Sequence, residues 1–170
     1  PTRRNTAPAI TIAALKAIDH FKDKDIDPIL LILSSDHYIK NIKEFRKSIK
    51  NSIELAVGDK LIIFGIIPSF PATGYGYIKA KNQQKIDNRI DNKVEKFVEK
   101  PDLKTAKSLF KDKKYTWNSG MFVCKASTML KELSKFTPQV VENCEICLRK
   151  SVIDLDFIRI DKASFSQCPD

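Results

Sequence analysis

Asp36 follows directly on the apolar run Ile29-Leu30-Leu31-Ile32-Leu33. In open α/β sheets ligands gather at the carboxyl ends of strands. A carboxylate there can hold Mg²⁺, a hard cation that takes oxygen ligands and phosphate. The same position equally suits a turn or helix-capping Asp, and His37 beside it reads as a packed turn residue ahead of a phosphate donor. Glu99-Lys100-Pro101 closes a second apolar-alternating run, 94–98. The proline fixes the turn and leaves two opposite charges side by side. A carboxylate accepts bonds from sugar hydroxyls and an ammonium pairs with phosphate; a solvated ion pair is the bland alternative. Asn118, after Trp117, carries an amide that both donates and accepts, which suits a sugar hydroxyl or a turn.

These residues sit around one stretch, 61–78, LIIFGIIPSFPATGYGYI. It predicts a strand that breaks at Pro68, a loop holding Pro71 and Thr73, and a return into a second strand after Gly74-Tyr75-Gly76. Four of the five glycines, Gly65, Gly74, Gly76 and Gly120, fall here or in the WNSGMF stretch. A chain so sparing with glycine is expected to use it where backbone approaches something closely or turns to positive φ.

The elements that must position them follow from the apolar spacing. Thr6 and Pro8 suit a helix start, a capping hydroxyl and a first-turn proline, and Ile10, Ala14, Ala17, Ile18 and Phe21 mark its apolar face. Charged residues 22–25 end it. The 29–33 run predicts a strand covered on both faces. Asn41 with Glu44 resembles a capping box for a helix marked by Ile42, Phe45, Ile49 and Ile53 and closed by Gly58. Residues 60–67 form the next buried strand. Helix, strand, helix, strand predicts an α/β fold with a mixed, mostly parallel sheet flanked by helices. Residues 79–93 predict an exposed hairpin or edge, and Asp102 caps a helix over 103–111. Residues 117–120 predict a turn into a strand at 121–124. Helices are expected at 126–135, 139–149 and 154–161, with the tail SFSQCPD neither capped nor extended.

The 170 residues suit one domain with a real core. No apolar run approaches the roughly 20 residues that span a bilayer. The opening PTRRNTAP has no signal-peptide core, and the chain starts without Met, so a cytoplasmic piece of a longer product is expected. The net charge is +9, from lysines spread along the chain. That suits a solvated surface or attraction of phosphorylated ligands. It does not suit nucleic acid, for which no Arg-rich block and no interleaved aromatics are present. Cys144-x-x-Cys147 has a metal or redox spacing but falls in a predicted helix, without the turn of a zinc knuckle. Cys124 reads as core, and reduced thiols are expected.

Taken in order, RNTAPAI (4–10), SSDHYI (34–39), FGIIPSFPATGYGYI (64–78), FVEKPD (97–102), YTWNSGMFVCKAS (115–127) and the closing FSQCPD resemble the bacterial mannose-1-phosphate guanylyltransferases. The resemblance runs through the whole chain; SSDH stands where the family more often has PADH, keeping the Asp-His pair. It implies a Rossmann-like nucleotidyltransferase fold and transfer of GMP from GTP to mannose 1-phosphate, giving GDP-mannose and pyrophosphate. It implies Asp36 as a Mg²⁺ ligand and Gly76 as the point where backbone approaches the sugar. Glu99 would hold mannose hydroxyls, Lys100 the sugar phosphate as the catalytic cation, and Asn118 the sugar. Asn5 and Thr6 would lie near the base.

The family's first strand and Gly-rich GTP loop, of the type GGxGTRLWPLSR, do not occur in these residues, nor does the segment beyond the CP dipeptide with a second metal-binding Asp. Residues 1–170 are therefore expected to be a partial catalytic domain, truncated at both ends and weakly active or inactive alone. A homo-oligomer or a complementing chain is the expected partner; no nucleic-acid or membrane partner is expected. The alternatives are an enzyme for another sugar 1-phosphate and a non-catalytic remnant that serves as a binding or assembly module.

Overall fold

The computed structural model describes residues 4–81, 85–86, 89–90 and 92–169. The elements in chain order are α1 (Thr6–Phe21), β1 (Ile29–Ile32), α2 (Ile42–Val57), β2 (Ile62–Ile66), β3 (Tyr77–Ala80), β4 (Lys85–Ile86), β5 (Arg89–Ile90), β6 (Val94–Val98), α3 (Leu103–Lys111), β7 (Tyr115–Lys125), α4 (Ala126–Phe136), α5 (Pro138–Arg149), β8 (Val152–Asp154), β9 (Phe157–Arg159) and α6 (Lys162–Ser166). The α/β class expected from the alternation is what forms. These elements fall into two compact units, each discontinuous in sequence.

The first unit takes in the residues up to Ile32, Ser52–Leu61, and those from Val123 onward. Helix α1 opens one residue earlier than expected. Asn5 is its N-cap, with no side-chain cap bond, so Thr6 is the first helical residue and not the capping hydroxyl. The predicted face is there: Ile10 and Ala14 are buried. One core cluster joins Val140, Cys144 and Cys147 of α5 to Phe165 and Cys168, with Ala7, Ile12 and Leu15 of α1 against it. A second joins Ile10, Cys124 and Met129, with Ile32 and Leu133 packed on. Fully burying a Val, Leu, Ile, Phe or Met side chain in such a cluster stabilises by about 1.5–3 kcal/mol. Strand β1 lies beside β7, and the Ala126 amide donates to the Pro28 carbonyl at 2.8 Å. The expected cover on both faces is not found, since Leu31 is 42% exposed. Strand side chains alternate, and the cluster around Ile32 covers only one face.

The four cysteines are buried and free. Cys144 and Cys147 stand three apart on α5, so both face the core without the turn a knuckle needs. Burial pushes Cys124 from 9.0 up to about 11, and burial with Cys168 beside it pushes Cys144 up to about 12.

The helix expected at 154–161 is instead a hairpin, with Val152↔Arg159, Ile153↔Ile158 and Asp154↔Phe157 in register and Leu155 at φ 53 in its turn. Val, Ile and Phe favour cross-strand pairing over a helical stripe. The tail is also more ordered than expected. Asp161 caps α6, accepting from the Ser164 amide at 2.9 Å and its hydroxyl at 2.5 Å. The capping residue lies three positions before the SFSQ segment begins.

The second unit comprises Leu33–Asn51 and Ile62–Phe122. Asn41 Oδ1 accepts from the Glu44 amide at 3.2 Å, forming the predicted cap of α2. Strand β3 pairs antiparallel with β6, Tyr77↔Val98 and Ile78↔Phe97, and antiparallel with β7, Tyr77↔Trp117 and Ile78↔Thr116. Strand β2 also pairs with β7. The neighbours of β3 are thus antiparallel where a mostly parallel order was expected. A short return connection, closed by the Lys81 amide on the Lys93 carbonyl at 2.8 Å, brings β6 back beside β3 in that sense. Strands β4 and β5 pair antiparallel, as the predicted hairpin requires; residues 82–84, 87–88 and 91 of the predicted span lie outside the described ones.

Candidate functional site

Strand β7 decides the site. The predicted turn at 117–120 does not interrupt it, and its burial alternates through Trp117, Ser119, Met121 and Val123. The local bond expected of a turn does form, since Asn118 Oδ1 accepts from the Gly120 amide at 3.2 Å. Gly120 takes φ +71, where a side chain would be strained, so the strand bends without ending. Asn118 is thereby half-buried beside β3, its own amide donating to the Gly76 carbonyl at 2.7 Å.

Gly76 is buried, and a Cβ there would lie 2.8 Å from Glu99 Oε2 and 2.8 Å from Phe97 Cζ. Glu99 therefore holds its carboxylate over bare backbone. Lys100 Nζ stands 3.6 Å from Glu99 Oε1, both side chains largely exposed. Lys100 has φ 38, a left-handed conformation that non-glycine residues adopt rarely. Two groups fix it there. Pro101 is buried, and Asp102 caps α3 by accepting from the Thr105 amide at 2.7 Å. That bond holds the Asp102 carboxyl below its usual 3.8.

Gly76, Glu99, Lys100 and Asn118 are thus brought together within one unit. Ser34 Oγ lies 3.8 Å from where a Gly120 Cβ would be, and Asp36 sits two residues on, exposed in the turn that follows β1. Among the described residues no three His, Cys, Asp or Glu are grouped to hold a metal. A single exposed carboxylate fits Mg²⁺, which commonly takes one or two carboxylates and fills its shell with phosphate and water. Asn5 and Thr6 belong to the first unit and stand exposed at the start of α1. Just before them the Arg4 guanidinium donates to the Ser166 carbonyl at 2.6 Å.

Sequence reasoning did not find the aromatic corner of this unit. Phe70 and Tyr75 both meet Trp117 edge-on, at 5.0 and 5.1 Å between ring centroids. Trp117 and Tyr77 are buried in one cluster with Ala72, and the Tyr77 hydroxyl donates to the Ala72 carbonyl at 2.9 Å. The available signal was composition: the only tryptophan adjoins Asn118, and two aromatics flank the Pro71–Gly74 segment.

A sequence profile described as Nucleotidyl transferase matches residues 1–163. The chain belongs to the nucleotidyl transferase family. It is 44% identical over 169 residues to mannose-1-phosphate guanylyltransferase RfbM of Salmonella typhimurium, covering 99% of this chain and 34% of that protein. It is 41% identical to mannose-1-phosphate guanylyltransferase of Escherichia coli, covering 100% of this chain and 35% of that protein. The chain therefore spans about a third of the length of these relatives. Among solved structures it is similar to mannose-6-phosphate isomerase from Helicobacter pylori, with TM-score 0.81, 31% identity, and coverage of 97% of this chain and 60% of that one. It is also similar to a Thermus thermophilus protein titled mannose-1-phosphate geranyltransferase, with TM-score 0.78, 26% identity, and coverage of 99% and 45%. These neighbours agree with the α/β nucleotidyltransferase class.

Proposed function

We propose that this chain is the part of a mannose-1-phosphate guanylyltransferase that holds the sugar phosphate, in an enzyme that transfers GMP from GTP to mannose 1-phosphate. The supporting observation is the contiguous set Gly76, Glu99, Lys100 and Asn118, with the Glu99 carboxylate seated over Gly76 and the Lys100 ammonium beside it. In this reading a phosphate oxygen of mannose 1-phosphate attacks the α-phosphorus of GTP, and pyrophosphate leaves. Glu99 accepts bonds from mannose hydroxyls, the Asn118 side-chain amide donates to another, and Gly76, having no side chain, leaves the Glu99 carboxylate its seat. Lys100 pairs with the sugar phosphate, steering the attacking oxygen and neutralising charge that grows there. Asp36 would hold Mg²⁺, which when bound neutralises phosphate charge. Asn5 and Thr6 are the candidates for contact with the base. The reading places the protein in the cytoplasm; no described helix is long and apolar enough to cross a membrane.

The test is pyrophosphate release by the folded chain with GTP, mannose 1-phosphate and Mg²⁺. The 170 residues hold no GGxGTRLWPLSR-type loop, so weak release is expected, dependent on mannose 1-phosphate and abolished by Lys100→Ala. Release with another sugar 1-phosphate but not mannose 1-phosphate would favour a sister enzyme instead. Binding of ligand or of a partner chain without any release would favour a non-catalytic binding or assembly remnant.

A further inference from the structure

The loop 68–76 presents two rings that the reading above does not use. Phe70 is 52% and Tyr75 49% exposed. They are not loose. Both stand edge-on to the buried Trp117, at interplanar angles of 67° and 68°. The loop beneath them is pinned by the Tyr77 hydroxyl on the Ala72 carbonyl and by the Ala72 amide on the Phe70 carbonyl at 3.0 Å. Tyr75 immediately precedes Gly76, over which the Glu99 carboxylate sits. Trp117 immediately precedes Asn118, whose amide is bonded to Gly76. The buried Trp117 indole N–H has no acceptor among the described residues, although indole donors are ordinarily satisfied when buried. This corner is thus a fixed, half-open aromatic surface, unsaturated by the chain itself and adjoining the polar groups that would hold a sugar.

We infer that Phe70 and Tyr75, backed by Trp117, form a stacking wall for the C–H face of the sugar ring. They are positioning residues, and the inference rests on the sugar-phosphate reading of Gly76, Glu99, Lys100 and Asn118. The axial bonds of a pyranose alternate between its two faces, and where they are C–H bonds they leave apolar patches inside the rim of hydroxyls. Binding sites for such ligands combine apolar or aromatic walls with a few placed polar groups. Here Glu99 and Asn118 supply the polar groups, and the rings supply the wall. Because Trp117 is the only tryptophan and touches both rings, its emission reports on their occupancy.

The experiment titrates the chain with mannose 1-phosphate, inorganic phosphate and GTP, following Trp117 fluorescence and checking by calorimetry. The variants are Phe70→Leu, Tyr75→Leu and Tyr75→Phe. Leucine keeps apolar bulk at these half-exposed positions, so folding is preserved, and phenylalanine keeps the ring. The wall predicts mannose 1-phosphate binding weakened roughly three- to tenfold in each leucine variant. It predicts wild-type binding in Tyr75→Phe and unchanged binding of inorganic phosphate in all three. Unchanged mannose 1-phosphate binding in both leucine variants would overturn the wall while leaving the sugar-phosphate reading intact. Weakened GTP with unchanged mannose 1-phosphate would overturn it in favour of a base platform. No mannose 1-phosphate binding by the wild type would overturn both.

Discussion

At Gly76 the space for a side chain is already taken, by Glu99 Oε2 and the Phe97 ring, each 2.8 Å from where a Cβ would stand. Gly76→Ala must push the carboxylate off its seat. Overpacking of this kind typically costs about 1–3 kcal/mol, so melting should show a lower Tm together with loss of mannose 1-phosphate binding. Lys100 sits in the opposite situation. Its φ of 38 is strained for lysine and free for glycine. Lys100→Gly should melt at or above the wild-type temperature while losing phosphate affinity. A variant that melts lower yet binds normally would remove Lys100 from the site. Part of this was legible in the sequence: Gly76 stood out because glycine is scarce, and Glu99-Lys100-Pro101 because opposite charges end a strand. The strain at Lys100 was not, because nothing in the residue type announces a left-handed backbone.

At the scale of elements, short helices depend on their caps. Asp102 holds the start of α3 two residues beyond Lys100, and Asp161 holds α6. Hydrogen bonds from the Thr105 amide and hydroxyl lower the Asp102 carboxyl below 3.8, and bonds from the Ser164 hydroxyl and amide lower that of Asp161. A depressed folded value means stabilisation that is full above the unfolded pKa near 3.8 and lost as pH falls through the folded value. Denaturation across pH 2–6, an interval set by these shifts, should find Asp102→Asn and Asp161→Asn less stable than wild type at pH 6, with the difference shrinking toward pH 2. A constant difference would mean that the carboxylate charge contributes nothing. The Asp102 cap was readable because Asp precedes a clear apolar period. The continuity of β7 was not, since Asn-Ser-Gly ordinarily ends strands, whereas here β7 runs on through it, paired with β3 up to Trp117 and also with β1 and β2. The β8–β9 hairpin was misread for a related reason: its apolar residues fit either period, and Leu155 at φ 53 closes a turn that its side chain does not advertise.

At the scale of the whole molecule, each unit has its own core, and the thiols report on the first. Burial raises Cys124 to about 11 and Cys144 to about 12. Raised thiols give stability that is full below the unfolded value of 9.0 and lost as pH climbs through the folded values. Denaturant midpoints should therefore decline above about pH 9. At pH 8 the native protein should resist thiol reagents until unfolded, and fast reaction of all four cysteines in the native state would contradict the packing of α5 and α6 described here. The α/β class was legible at this scale because alternating apolar periods define it. The aromatic corner was not, because Phe70 and Tyr75 meet Trp117 only once a loop folds onto a distant strand.

The central claim is that Gly76, Glu99, Lys100 and Asn118 hold a sugar phosphate, and calorimetric titration of mannose 1-phosphate tests it most directly. Charge-assisted hydrogen bonds are worth about 1.5–3 kcal/mol, and each factor of ten is about 1.4 kcal/mol. Saturable binding is expected of the wild type, weakened roughly ten- to a hundredfold by Lys100→Ala. Lys100→Ala should also weaken binding of inorganic phosphate, while Glu99→Gln should weaken only the sugar phosphate. Wild-type protein that does not bind mannose 1-phosphate, or Lys100→Ala protein that binds it as tightly as wild type, would contradict the account.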